Sequence, residues 1–126
     1  MSMRNPNCFR FPYTPKPKWP WSELSWMAVA RMAGARRPCA SLVLAGPGGG
    51  TYLPTAPLLA ATGITALALA YFGEEGLPDE LCDIPLEYFE RAVDWMRRQP
   101  ETAGHDVHVI GASRGAELAL LLATRV

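Results

Sequence analysis

The chain has 126 residues, 49% of them hydrophobic, which is enough for one domain with a buried core. Its 12 basic and 12 acidic residues give a formal net charge of zero, which disfavours nucleic acid and anionic membranes as partners. Its three cysteines are widely spaced and form no Cys-x-x-Cys motif, so neither a disulfide framework nor a metal site is expected. No apolar run has the ~18 residues of a membrane span, no signal peptide is expected, and the cysteine usage favours a cytoplasmic location.

Residues 1–36 are predicted to form an irregular N-terminal arm. Five prolines lie among aromatic residues within the first 21 positions, a composition that resists both helix and central strand. Ser22 could then cap a short helix over Glu23–Met32, which Gly34 would end. The function of the arm stays unassigned, and an unstructured extension is favoured over a partner-binding segment.

From residue 37 to residue 126 the sequence alternates between strand-like and helix-like segments. Continuous apolar runs of four to eight residues are typical of strands that a parallel sheet buries on both faces. The predicted strands are Ser41–Ala45, Ile64–Tyr71 and Val107–Ile110. The predicted helices are Pro57–Thr62, a segment capped by Asp83 that has Leu86, Phe89, Val93 and Met96 on one face, and Ala116–Ala123. The alternation predicts an α/β fold with three parallel strands and flanking helices.

The order of these strands predicts where a ligand would bind. If the second and third strands lie on opposite sides of the first, the strand order reverses at the first strand. Ligands in open α/β sheets bind outside the carboxyl ends of the strands at such a reversal. The segment Gly46–Gly50, here called the glycine loop, follows the first strand and would therefore face the end of the third strand.

The end of the third strand carries the motif with the clearest chemistry. Gly111, Ala112, Ser113, Arg114 and Gly115 form a Gly-x-Ser-x-Gly sequence, here called the serine turn, between a strand and a helix. This is the expected context of a nucleophile elbow, in which a sharp turn exposes the serine hydroxyl. The backbone N–H groups of Gly48, Gly49 and Gly50, together with that of Arg114, would form an oxyanion hole.

Several short elements, taken in order, carry a resemblance to known proteins. The elements are Ala60–Gly73, Gly76–Pro78, Ile84–Glu90 and Gly111–Leu118. Over roughly residues 41–124 the chain is similar to the C-terminal domain of acyl-CoA thioester hydrolases and bile acid-CoA:amino acid N-acyltransferases. The resemblance implies an α/β-hydrolase domain, an acyl-CoA thioester as substrate, no cofactor, and Ser113 as the acyl-accepting nucleophile.

The chain departs from the α/β-hydrolase pattern in its triad. In that fold an acid and then a histidine follow the serine, yet the 13 residues after Ser113 contain no histidine and only one acid, Glu117. His108 precedes Ser113 on the strand by roughly 17 Å, and His105 is farther away, so neither can act as its base. The chain therefore looks truncated after the serine turn and is expected to be inactive as given. A dienelactone-hydrolase-like or carboxylesterase-like enzyme and a non-catalytic remnant stay open as alternatives.

Overall fold

The computed structural model describes residues 28–30, 39–51, 54–74 and 77–126. Three of its strands and its three helices lie within two residues of the predicted segments, so the α/β class is confirmed. The strands are β1 (Ala28–Ala30), β2 (Ala40–Leu44), β3 (Thr65–Leu69) and β4 (Val107–Gly111). The helices are α1 (Thr55–Ala61), α2 (Leu86–Arg98) and α3 (Arg114–Ala123).

The sheet has the strand order β1-β3-β2-β4, and β2 runs parallel to both of its neighbours. Leu44 at the end of β2 is in register with Leu69 of β3 on one side and with Gly111 of β4 on the other. The predicted reversal of strand order at β2 is therefore confirmed. It brings the segments that follow β2, β3 and β4 to one edge of the sheet.

The first strand corrects the prediction for the N-terminal arm. Ala28–Ala30 forms a strand that pairs antiparallel with β3, with Ala28 opposite Ala68 and Ala30 opposite Ala66. The predicted helix over Glu23–Met32 is wrong at these three residues, because the free edge of β3 offers backbone partners that a local capping signal cannot outweigh. The other residues of that prediction lie outside the described part of the chain.

The core lies on both faces of β2 and β3. Ala56 on α1 packs with Ala66 and Ala68 of β3 on one face, and the larger cluster on the other face packs against α2 and α3. All five residues of β2 are buried, as a central parallel strand requires. The largest buried side chains of the larger cluster are those of Leu42, Leu44, Leu67, Leu69, Tyr71, Ile84, Phe89, Met96, Leu118 and Leu122.

The start of α2 differs from the prediction. Pro85, with an extended backbone, is the residue that caps α2, and no side-chain hydrogen bond caps it. The prediction that Asp83 caps the helix is wrong, since Asp83 lies two residues earlier in a turn with φ of 53°. Proline suits this position because it has no backbone N–H that the first turn would leave unpaired. The predicted apolar face is confirmed, since Phe89, Val93 and Met96 are buried.

Candidate active site

Ser113 lies in a strained turn between β4 and α3. Its φ of 53° and ψ of −116° are unusual for a residue with a side chain, and such conformations cost on the order of 1–3 kcal/mol. Neighbouring hydrogen bonds hold the turn: Ala112 N–H donates to Leu44 O at 3.3 Å, and Ala116 N–H donates to Ser113 O at 2.9 Å. Ser113 is exposed, so the turn presents this residue to solvent beyond the carboxyl end of β4.

The two glycines of the serine turn lie where no side chain fits. A Cβ atom on Gly111 would lie 2.0 Å from the carbonyl oxygen of Gly115. A Cβ atom on Gly115 would lie 2.5 Å from Leu44 O and 2.6 Å from Ala45 O. The first turn of α3 therefore packs directly against the backbone at the end of β2, which is the physical reason for glycine at both positions.

The glycine loop meets the serine turn at its first residue. A Cβ atom on Gly46 would lie 3.2 Å from Ala112 O and 3.5 Å from the Cβ of Ser113. The sequence predicted Gly48, Gly49 and Gly50 as site residues, but it did not predict Gly46. Its position directly after β2 was the available signal, because the residue that follows one strand lies nearest the residues that follow the neighbouring strand.

The rest of the glycine loop extends toward the segment that follows β3. Gly49 and Gly50 have φ values of 72° and 71°. A Cβ atom on Gly49 would lie 3.1 Å from the ring of Phe72, and one on Gly50 would lie 3.4 Å from Oε1 of Glu74. Gly49 N–H donates to Gly46 O at 3.3 Å and closes the turn, whereas a Cβ atom on Gly48 would meet nothing within 4 Å.

Two tyrosines bind backbone carbonyls at this edge of the sheet. The hydroxyl of Tyr71 donates to Ala45 O, and the hydroxyl of Tyr88 donates to Ala70 O at 2.5 Å. Burial raises the pKa of both side chains to about 12, so both hydroxyls remain protonated donors at neutral pH. Sequence reasoning used Tyr71 as the end of a predicted strand and both residues as part of a family resemblance, and it missed these contacts. A tyrosine in an apolar segment signals such a bond, since a buried hydroxyl needs a partner.

Glu117, the candidate acid, lies on α3 just after the serine turn, whereas the candidate bases His105 and His108 lie toward the opposite end of β4. The guanidinium of Arg114 donates to both carboxylate oxygens of Glu117, at 3.1 and 2.8 Å, on the exposed first turn of α3. His105 precedes β4 and His108 is an exposed residue near its amino end, whereas Ser113 follows its carboxyl end. Neither histidine lies at the edge of the sheet where the serine turn and the glycine loop meet.

Comparison with known proteins finds a family similar to the C-terminal third of the chain. The family model described as "BAAT / Acyl-CoA thioester hydrolase C terminal" matches residues 84–126, which contain α2, β4, the serine turn and α3. The resemblance predicted from the sequence is therefore confirmed.

Several acyl-coenzyme A thioesterases are similar to a longer stretch of this chain. Acyl-coenzyme A thioesterase 6 of Mus musculus is 48% identical over 75 residues, which are 60% of this chain and 18% of that protein. Its Homo sapiens counterpart is 48% identical over 69 residues, 55% of this chain and 16% of that protein. Acyl-coenzyme A thioesterase 1 of Mus musculus is 41% identical over 81 residues, 64% of this chain and 19% of that protein. The chain thus spans less than a fifth of the length of these thioesterases.

Within the described ranges, no three His, Cys, Asp or Glu side chains are grouped so that they could hold a metal ion. None of the helices in those ranges is both long enough and apolar enough to cross a membrane. The cytoplasmic location expected from the cysteines stays a prediction.

Proposed function

We propose that this chain carries the nucleophile and part of the oxyanion site of an acyl-CoA thioester hydrolase or acyltransferase. The observation that carries the proposal is the backbone of Ser113, which is strained, exposed and held between two glycines that permit no side chain. Strain of this kind persists where the surrounding structure enforces it, and it is concentrated at functional sites. The names of the relatives supply the substrate class, an acyl-CoA thioester.

In the proposed reaction the Oγ atom of Ser113 attacks the carbonyl carbon of the thioester. The C–S bond breaks, coenzyme A leaves as a thiolate, and the acyl group remains on the serine until water or an amine removes it. The negative charge that develops on the carbonyl oxygen needs preorganised N–H donors. We assign this role to Arg114 N–H and to the loop N–H groups of Gly48 and Gly50. Gly49 would first have to give up its 3.3 Å bond to Gly46 O.

A base must accept the proton of Ser113, and neither histidine lies at this edge, since both lie toward the amino end of β4. Of the carboxylates at this edge, that of Glu117 is bonded to Arg114, and that of Glu74 lies beside Gly50 rather than at Gly46, where the glycine loop meets Ser113. We therefore propose that the 126-residue chain on its own does not turn over acyl-CoA. The same placement favours the second candidate, a non-catalytic segment that binds acyl-CoA without reacting.

Chemical rescue tests the proposal directly. Purified chain is incubated with butyryl-, octanoyl- or palmitoyl-CoA, with and without imidazole as a substitute base, and released thiol is measured. We expect thiol release that requires imidazole and an acyl adduct that peptide mass spectrometry locates on Ser113. In Ser113→Ala the adduct should vanish and release should fall to the rate of imidazole alone.

A matched control moves the hydroxyl by one residue. The double variant Ala112→Ser/Ser113→Ala keeps one serine in the turn, and Ala112 is exposed, so its larger side chain has room. We expect no adduct from this variant, because its hydroxyl no longer stands at the strained position. Equal thiol release from all three proteins would refute the nucleophile, and acyl-CoA binding without any adduct would favour the non-catalytic segment. Faster reaction with a carboxylic ester than with a thioester would favour the carboxylesterase-like alternative.

A further inference from the structure

We infer that Tyr71 is a positioning residue, whose hydroxyl fixes the start of the glycine loop opposite Ser113 and so aligns the oxyanion donors. The inference rests on the proposed function, because it concerns donors for the same reaction. Tyr71 does not belong to the serine turn or to the glycine loop, and from the segment that follows β3 it bonds to Ala45, the residue directly before the glycine loop.

The hydrogen bond from Tyr71 reaches the backbone at a point that both segments share. Ala45 is 3% exposed and lies directly between Leu44, whose carbonyl accepts Ala112 N–H, and Gly46, which touches Ser113. The carbonyl of Ala45 also lies against Gly115. Tilting of the peptide plane between residues 45 and 46 would therefore change both the start of the glycine loop and its contact with α3.

The direction of the hydroxyl is itself fixed by packing. The ring of Tyr71 is 2% exposed and packs edge-on against Phe72 and Phe89, with centroid distances of 5.2 Å in both pairs. Because Phe72 also lies 3.1 Å from where a Cβ atom of Gly49 would be, the same aromatic pair supports the loop at a second point. Tyr71 thus holds the backbone directly before the glycine loop at Ala45, and through Phe72 it supports the loop at Gly49.

Tyr88 provides a matched control for this role. Its hydroxyl also donates to a backbone carbonyl at the carboxyl edge of the sheet, and burial raises its pKa to about 12 as well. Its acceptor, Ala70 O, follows β3 rather than β2, so this bond does not hold the start of the glycine loop. Either substitution removes a hydroxyl that donates to a backbone carbonyl at this edge, but only the loss at position 71 should change the loop.

The test compares Tyr71→Phe and Tyr88→Phe with the wild-type chain. Backbone amide exchange of residues 46–50 is measured by NMR, and the imidazole-dependent acylation of Ser113 by octanoyl-CoA is measured as a function of its concentration. We expect faster exchange in the loop of Tyr71→Phe alone. The limiting acylation rate of that variant should fall about tenfold to a hundredfold at an unchanged half-saturating concentration, as misplaced catalytic groups produce.

The two readouts separate this inference from the proposed function. If wild-type chain forms no adduct on Ser113, the proposed function fails, while loop exchange still decides the role of Tyr71. Equal loop exchange in the two variants, or equal acylation rates, would overturn the inference. Should Tyr71→Phe not fold, para-aminophenylalanine, which keeps a weaker donor in the same place, is introduced at position 71 or at position 88 instead. Faster loop exchange from position 71 alone supports the inference, and equal loop exchange from the two positions contradicts it.

Discussion

Gly115 on α3 approaches the carbonyl oxygen of Ala45 so closely that a Cβ atom there would lie 2.6 Å from that oxygen. The contact joins the first turn of α3 to the end of the central strand, and the serine turn is held between them.

Gly115→Ala should destabilise the fold by about 1–3 kcal/mol, because the added methyl group overlaps backbone that cannot yield as a side chain would. Gly48→Ala is the matched control, since its methyl group would enter open space. The free energy of unfolding is measured by urea denaturation at neutral pH. We expect the control to lie within about 0.5 kcal/mol of the wild type. Equal effects of the two substitutions would show that Gly115 does not touch β2.

Gly49→Ala should lower the free energy of unfolding by more than its backbone conformation alone explains. Its φ of 72° is unfavourable for alanine by about 1–2 kcal/mol, and the new methyl group would also press on the ring of Phe72. Gly104→Ala isolates the cost of the backbone conformation, because Gly104 has φ of 80° and nothing within 4 Å of its Cβ position. Urea denaturation should therefore rank Gly49→Ala below Gly104→Ala in stability. The reverse order would mean that Phe72 moves away at little cost.

Thr102→Val should cost about 0.5–1.5 kcal/mol, the net worth of one hydrogen bond, although it preserves the shape of the side chain. Thr102 is 1% exposed and its hydroxyl donates to Met96 O near the end of α2, so valine would remove this buried bond and leave that carbonyl only the N–H of Gln99 at 3.1 Å. Thr124→Val is the control, since Thr124 makes the same kind of bond to Leu121 O at 2.7 Å on the exposed end of α3. Water can replace the lost bond there, so thermal unfolding of the control should stay close to that of the wild type.

The central sheet could be predicted from the sequence, whereas the contacts around the glycine loop could not. The runs that form β2 and β3 are almost wholly apolar, and such local composition is enough to predict buried strands. The pairing of Ala28–Ala30 depends on the free edge of β3, which is distant in sequence. Similarly, the bond from Tyr71 to Ala45 depends on the register of two strands, and no local pattern specifies that register.

Alkaline pH should weaken the fold through its two buried tyrosines. The pKa of Tyr71 and of Tyr88 rises from 10.0 to about 12 on folding, because burial disfavours the phenolate. The stabilising contribution is complete below pH 10.0 and is lost as pH rises toward about 12, since only the unfolded chain ionises freely in that window. Urea denaturation from neutral pH to about pH 11 should show this fall. Tyr71→Phe should reduce the slope, and a slope unchanged in both tyrosine variants would assign the fall to other groups.

The exposed side chain of Ile110, on the edge strand β4, should promote self-association of the chain. Ile110 on β4 is 38% exposed and Leu120 on α3 is 72% exposed, and β4 ends the strand order of the described sheet. An exposed apolar strand at a sheet edge promotes association, and a charge placed on it opposes association. Ile110→Lys should therefore lower the sedimentation-derived mass and raise solubility. Leu58→Lys is the control, because Leu58 is 68% exposed on α1, away from that edge. A wild-type chain that is already soluble and monomeric at high concentration, or an equal gain from both variants, would contradict the prediction.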